Sequence, residues 1–288
     1  MTTDPVTGPV TRESLRAALA AATEQLRAAG VASPRTDAEE LAAHVLGAER
    51  RDLVRFDEID AGAYAKLVEA RAARTPLQHL TGVAHFRHVS LAVGPGVFVP
   101  RPETEVMVGQ MIDAARSLPA GSVAVDLCTG SGAIALALAT EVPGLTVHAV
   151  ELDPDALAWA RRNLDGSGVT LHAGDAADAL PELDGQVDLV VSNPPYIPLD
   201  AWESVAVEAR DHDPAAALWG GDDGLDVVRA VERTAGRLLR TGGRVAVEHA
   251  DVQGAAVVEV FARTGRWTQV RSHQDLTERD RFVTATRA

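Results

Sequence analysis

Between residues 122 and 151 the chain passes through an apolar stretch (122–127, Ser-Val-Ala-Val-Asp-Leu) and a glycine turn, Cys128-Thr129-Gly130-Ser131-Gly132-Ala133. An apolar helical stretch (134–139) and a second apolar run (145–150) follow, closed by Glu151. Strand, turn, helix and strand in that order build a parallel pair with a crossover helix, and such pairs bury both faces only in a sheet covered by helices. The alternation continues. Helices are expected at 154–164, 225–239 and 252–262, and strands at 169–172, 187–191, 243–248, 267–271 and 282–286. The fold class expected is therefore α/β, a Rossmann-like, mostly parallel, doubly wound sheet.

In open sheets of this kind, ligands collect beyond the carboxyl ends of the strands. Gly130 and Gly132 let the backbone approach a ligand closely. Glu151 stands 21 residues after Gly130, where its carboxylate can accept both hydroxyls of a ribose. Gly130-Ser131-Gly132-Ala133-Ile134-Ala135 also fits the dinucleotide fingerprint, so the glycines leave NAD and S-adenosylmethionine both open. Asp126 tips the balance toward the second. An acid at the end of the first strand repels a pyrophosphate and suits the α-ammonium of a methionine moiety. Asp175, after the third strand, can accept from an adenine amino group or a water, and equally well cap a helix.

The strand at 187–191, broken only by Asp188, runs into Ser192-Asn193-Pro194-Pro195-Tyr196-Ile197. Two prolines fix two φ angles and remove two N–H donors. The carbonyls of Asn193 and Pro194 can then face outward as acceptors, the Asn193 side chain adds an amide, and Tyr196 adds a flat ring. Acceptors for two hydrogens beside an aromatic face suit a planar NH2 group. An ordinary proline-rich turn accounts for Pro-Pro alone, but not for the whole tetrapeptide at the end of an apolar strand.

The remaining sequence narrows the function. A net charge of −14 opposes binding to nucleic-acid phosphates. The single cysteine and nine scattered histidines supply neither disulfides nor metal-ligand spacing. No stretch is long and apolar enough for a membrane span and no signal peptide is evident, so the cytoplasm is the expected location. Residues 1–10 read as a disordered tail. Residues 11–75 read as a small all-helical domain, its first helix capped by Thr11 and running to 29, with others at 34–46, 50–56 and 61–73. Arg50, Arg51, Arg55, Arg71 and Arg74 read there as a solvated helix face. Residues 76–100 form a linker with a hairpin over 85–93, and residues 101–288 the catalytic domain. Two glutamates, Glu103 and Glu105, open the helix after Pro102 as favourable first-turn charges, while Arg101 is held between two prolines.

Taken together, these residues resemble the release-factor glutamine methyltransferases, the PrmC/HemK family. The resemblance is nearly full length. It runs through Pro76-Leu-Gln-His-Leu-Thr-Gly82, Phe98-Val-Pro-Arg-Pro-Glu-Thr-Glu105, the segment 126–137, Ser192 to Ile197, Gly220-Gly-Asp-Asp-Gly-Leu225, Glu248-His249 with Gln253-Gly254, and Asp280-Arg-Phe282. It implies a class I S-adenosylmethionine-dependent methyltransferase domain behind the helical domain and hairpin. The implied substrate is the glutamine of the Gly-Gly-Gln loop of bacterial release factors. The implied cofactor residues are Asp126, Cys128, Thr129, Gly130, Ser131, Gly132, Glu151, Asp175, Ala176 and Asn193. Asn193, Pro194, Pro195 and Tyr196 would hold the substrate amide, with Asn193, Pro194 and Tyr196 at the reacting centre. Three positions depart from the family pattern: Cys128 stands where glycine is usual, Glu151 replaces the commoner aspartate, and Ala176 stands where some relatives carry an aromatic.

A glutamine amide is a weak nucleophile and a methyl sulfonium a strong electrophile, so the expected catalysis is chiefly positioning. The Asn193 side-chain oxygen and the Pro194 carbonyl would accept the two N–H hydrogens, more strongly as positive charge develops on nitrogen. The expected partner is a release factor, bound partly by the helical domain; neither direct nucleic-acid binding nor a metal is expected, and a monomer is. The competing readings are a methyltransferase for an exocyclic base amino group, an NAD oxidoreductase, which leaves residues 193–196 without a task, and a non-catalytic binding protein.

Overall fold

The computed structural model describes residues 11–288, so the expected tail at 1–10 lies outside the described residues. In chain order the first elements are β1 (Arg12–Ser14), α1 (Leu15–Ala28), α2 (Pro34–Leu46), β2 (Glu58–Asp60), α3 (Ala61–Ala72), α4 (Leu77–Thr81), β3 (Val83–Phe86), β4 (Val89–Ala92) and α5 (Thr104–Ala115). Then come β5 (Val123–Leu127), α6 (Ala133–Glu141), β6 (Thr146–Glu151), α7 (Pro154–Leu164), β7 (Thr170–Ala173), β8 (Val187–Ser192), α8 (Val207–His212), α9 (Ala215–Leu218), α10 (Asp226–Leu238), β9 (Leu239–Glu248), α11 (Gly254–Ala262), β10 (Trp267–Gln274) and β11 (Asp280–Arg287). They form two compact units, one comprising the described residues up to Gly82 with Val207–His212, the other Val83–Ala206 with Asp213–Ala288.

The first unit is helical around Leu26, Leu41, Ile59, Tyr64 and Val68. It extends to Gly82 because Leu77 and Leu80 of α4 pack on that core. Thr11 does not cap a helix. Residues 12–14 instead pair antiparallel with 58–60, and the helix begins at Leu15, whose N–H donates to the Asp57 carbonyl. Arg71 departs from the expected solvated face. It is buried, with Nε donating to Asp37 Oδ2 at 2.7 Å and Nη2 to Glu208 Oε1 at 3.1 Å. Arg74 Nη2 donates to the other oxygen of Glu208 at 2.7 Å. Arg50, Arg51 and Arg55 do lie at the surface, paired with Glu40, Glu49 and Asp52.

The second unit is built on a seven-stranded sheet of order β10-β11-β9-β8-β5-β6-β7. The five strands β9, β8, β5, β6 and β7 run parallel; β11 pairs antiparallel with β9 and β10 with β11. Side chains alternate between the faces as strand geometry requires. Ala124, Leu189, Val191 and Ala246 pack with Met107, Met111, Ile134, Leu138 and Ala160 of α5, α6 and α7. Val125, Leu127, Val190, Val245 and Val247 pack with Val228, Val231, Leu238, Val257 and Phe261 of α10 and α11. Asp188, the polar interruption in β8, accepts from the Val123 N–H at 2.8 Å and from Arg240 Nε at 2.6 Å. The chain runs outward from β5 through β6 to β7, then returns to place β8 on the other side of β5. The crevice between the ends of β5 and β8 is thus the point where strand order reverses.

Candidate active site

The ends of those two strands are locked in register. Leu127 faces Ser192, and the Ser192 hydroxyl donates to the Leu127 carbonyl at 2.7 Å. Each strand therefore delivers its following turn, 128–132 or 193–196, to the same crevice. There a cavity of about 460 Å³ is lined by Cys128, Thr129, Gly130, Ser131, Glu151, Asp175, Ala176, Asn193, Pro195 and Tyr196 together with largely apolar neighbours. That volume lies within the range of small-molecule sites.

In the glycine turn, Cys128, Gly130 and Gly132 all have positive φ, at +62°, +57° and +87°. Cys128 thus holds the left-handed backbone that favours glycine, at some conformational cost. Burial pushes its thiol well above the usual range, and Glu151 and Asp126 add to the effect. A Cβ on Gly132 would sit 3.0 Å from Leu164 Cγ, whereas one on Gly130 would meet nothing within 4 Å. The space over Gly130 is open to a ligand. The turn is braced from behind by Asn163, whose side chain donates to the carbonyls of Ser131 and Ala92 and accepts from the Ala92 N–H.

Glu151 is buried, and each carboxylate oxygen takes one backbone N–H, Gly130 at 2.7 Å and Asp153 at 2.8 Å. A carboxylate with two such bonds keeps lone pairs for two hydroxyls. Burial raises its pKa, with the backbone donors opposing. Asp126, expected to face the ligand, has one carboxylate oxygen, Oδ1, buried without a hydrogen-bond partner. It is fully buried and absent from the cavity wall, with Oδ2 accepting from the Thr129 hydroxyl and the Ala135 N–H. Its carboxylate therefore ties the turn to the start of α6. Burial pushes it up to about 7. Asp175 lines the cavity while its Oδ1 accepts from the Ala177 N–H at 2.8 Å. Ala176 is part of the wall, and Leu152, exposed at 65%, supplies the apolar surface that the sequence did not single out.

On the other side of the crevice, Asn193 Nδ2 donates to the Thr104 hydroxyl at 3.2 Å, and the Tyr196 hydroxyl donates to Glu248 Oε1 at 3.1 Å. Pro195 and Tyr196 are in the wall. Pro194 is buried and is not part of the wall, and no hydrogen bond among the described residues reaches its carbonyl. Residues 218–224 back this segment. The Ile197 N–H donates to the Leu218 carbonyl, the Gly220 N–H to the Ile197 carbonyl, and Gln253 Nε2 to the Tyr196 carbonyl at 2.9 Å. Arg101 also lines the cavity, paired with Asp213 at 2.7 Å and lying over the Phe98 ring. Among the described residues, no cluster of histidine, cysteine and carboxylates could hold a metal, and no helix is long and apolar enough to cross a membrane.

A parallel sheet extended by an antiparallel β11 and β10, with an acid-closed glycine turn facing an Asn-Pro-Pro-Tyr segment across the crevice, defines a class I methyltransferase. Comparison with known proteins agrees. Residues 17–82 match the PrmC N-terminal domain and residues 124–212 a methyltransferase domain. A release factor glutamine methyltransferase of Streptomyces coelicolor is 60% identical, covering 95% of this chain and 98% of the relative. One from Mycolicibacterium smegmatis is 54% identical, with the same coverages. A 4-amino-L-phenylalanine/4-methylamino-L-phenylalanine methyltransferase of Streptomyces pristinaespiralis is 42% identical, covering 90% of this chain and 91% of the relative. The chain belongs to the release factor glutamine methyltransferase family.

Proposed function

We propose that this enzyme transfers a methyl group from S-adenosylmethionine to the side-chain amide nitrogen of the glutamine in the Gly-Gly-Gln loop of bacterial release factors. The observation that carries the reading is the meeting of the glycine turn, Glu151, Asn193 and Tyr196 around one cavity. S-adenosylmethionine supplies an activated methyl on a positively charged sulfur. Glu151 would hold its ribose hydroxyls, and Leu152, Asp175 and Ala176, in the same wall, would be available to its base.

The substrate amide enters from the side of residues 193–196. The Asn193 side-chain oxygen and the Pro194 carbonyl accept its two N–H hydrogens, and the Tyr196 ring packs on its plane. As nitrogen gains positive charge its hydrogens become stronger donors, so both bonds tighten in the transition state. Neither Asn193 nor Tyr196 is a base at neutral pH, since burial and the adjacent Glu248 raise the Tyr196 phenol further. The proton therefore leaves to water after transfer. The helical unit contacts the body of the release factor, because one glutamine side chain cannot supply protein-level specificity.

Asn193→Ala tests the reading. It removes one acceptor for the charge-bearing amide and is expected to lower kcat by about a hundredfold, the scale of losing one preorganised polar contact. S-adenosylmethionine affinity should fall much less than kcat, because Asn193 is one of many residues around that cavity. Unchanged kcat would refute the role of Asn193. Methylation of nucleic acid that weakens steeply with salt would favour the base-modifying alternative.

A further inference from the structure

Arg101 stands between Pro100 and Pro102, and the site chemistry described so far gives it no task. Its Cζ lies 4.9 Å from the centre of the Phe98 ring, and its Nη2 donates at 2.7 Å to Oδ2 of Asp213, whose side chain is fully buried. The prolines restrict the backbone, and the ring and the buried carboxylate fix where the head group sits. Pairing with Asp213 accounts for Nη2 alone. No hydrogen bond among the described residues takes Nε or Nη1, and the side chain stays 34% exposed on the cavity wall.

Among the described residues that line the cavity, Arg101 is the one cation, against the carboxylates of Glu151, Asp153 and Asp175. S-adenosylmethionine is positive at its sulfur and its α-ammonium and negative only at its α-carboxylate. Of its charged groups, only the carboxylate calls for a cation. Arg101 also belongs to the reacting side of the crevice. Its carbonyl accepts from the Thr104 N–H at 3.3 Å, and the Thr104 hydroxyl accepts from Asn193. Glu151, given to the ribose, ends β6, whereas Asn193 follows β8 on the other side of β5. The ribose and the amino-acid arm are separate substituents of the sulfur, so a ribose on the β6 side leaves the β8 side to the arm.

A guanidinium presents a planar fork of N–H donors and can take a second carboxylate while it keeps the first. The release-factor loop offers neutral carbonyls to the same donors, a weaker match than a charged pair of oxygens. We propose that Arg101, held by Asp213, binds the α-carboxylate of S-adenosylmethionine. It thereby selects a cofactor whose amino-acid arm is intact. The inference rests on the proposed use of S-adenosylmethionine by this enzyme.

The test is calorimetric binding of S-adenosylhomocysteine and of its decarboxylated analogue to wild type, Arg101→Met and Arg101→Lys. Both ligands keep the adenosine, the sulfur and the amine, so the ratio of their affinities reads the carboxylate alone. Wild type is expected to prefer the carboxylated ligand by about tenfold or more, the scale of a hydrogen bond to a charged group. Arg101→Met should bind the two ligands about equally while keeping its affinity for the analogue. Arg101→Lys, a point charge without the fork, should keep part of the preference. Equal binding of both ligands by wild type, a wild-type preference in Arg101→Met, or parallel weakening of both ligands in that variant would overturn the proposal. A raised KM for the release factor in Arg101→Met with an unchanged ratio would assign the guanidinium to the protein substrate and overturn it likewise. Failure of wild type to bind S-adenosylhomocysteine at all would instead overturn the cofactor reading on which it rests.

Discussion

Gly224→Ala is the substitution whose consequences the structure sets most tightly. Gly224 has φ +74°, and a Cβ there would lie 2.3 Å from the Tyr196 carbonyl oxygen, 2.6 Å from Gln253 Nε2 and 3.0 Å from Pro198 Cδ. Left-handed backbone costs an alanine about 1–2 kcal/mol. The collision with a backbone oxygen adds about 1–3 kcal/mol of overpacking strain. Displacing Gln253 from the Tyr196 carbonyl, now at 2.9 Å, adds about 1 kcal/mol. The expected destabilisation is therefore about 3–6 kcal/mol. Gly185→Ala is the control: φ is +69°, but a Cβ there would meet nothing within 4 Å, so only the backbone cost of about 1–2 kcal/mol applies. Urea unfolding followed by circular dichroism should separate the two variants by about 2–4 kcal/mol, the difference between those sums. Because the strain falls on Tyr196, kcat of Gly224→Ala should also drop by about a hundredfold where Gly185→Ala keeps wild-type turnover. Equal stability and equal kcat in the two variants would refute the view that residues 220–224 buttress residues 195–197.

Three further outcomes are expected. Cys128 should resist iodoacetamide in the folded protein at pH 8 and react on unfolding in urea, since burial raises its thiol; labelling at the rate of a free thiol would contradict this. Asp126, at about 7, lies above its unfolded value, so its protonated form is favoured by folding and its contribution falls as pH rises from about 4 to about 7. Asp126→Asn should flatten that part of the melting-temperature profile, and an unchanged slope would count against it. For Glu208 the sign is opposite. Burial pushes its carboxyl up, but Arg74 and Arg71 outweigh burial and hold it at about 2, so its contribution is present above its ordinary value and lost as pH falls toward 2. Glu208→Gln should weaken the helical unit at pH 7 and not at pH 2, as proteolysis within residues 61–81 would report.

The central strands were legible because they are buried on both faces and read as continuous apolar runs; 187–192 and 146–151 lie within a residue of the expected bounds. Both turns of the site were legible for a related reason, as glycines and prolines mark backbone that side-chain patterning cannot explain. What the sequence hid depends on distant partners. The three-residue strands β1 and β2 exist only as a pair about 45 residues apart, and nothing in Arg12–Ser14 alone prefers them to a helix start. Arg71 looked like a surface residue because its partners, Asp37 and Glu208, lie 34 and 137 positions away. Gly220 to Leu225 carried the family resemblance but no task, because its contact with residues 195–197 is tertiary. Asp126 sat at the right strand end, but only packing shows that its carboxylate turns inward to Thr129 and Ala135. Thr104 could not be tied to Asn193, 89 positions on, although it lies in a segment that resembled the family.

The most direct test of the whole account is to follow labelled methyl from S-adenosylmethionine into a purified bacterial release factor, a copy carrying Gln→Ala in its Gly-Gly-Gln loop, a nucleic acid, and 4-amino-L-phenylalanine. Mass spectrometry would locate the label. The account predicts one methyl on the side-chain nitrogen of that glutamine in the intact factor, and none on the altered factor or the other two. Equal labelling of the altered factor, or label only on nucleic acid or the free amine, would contradict it.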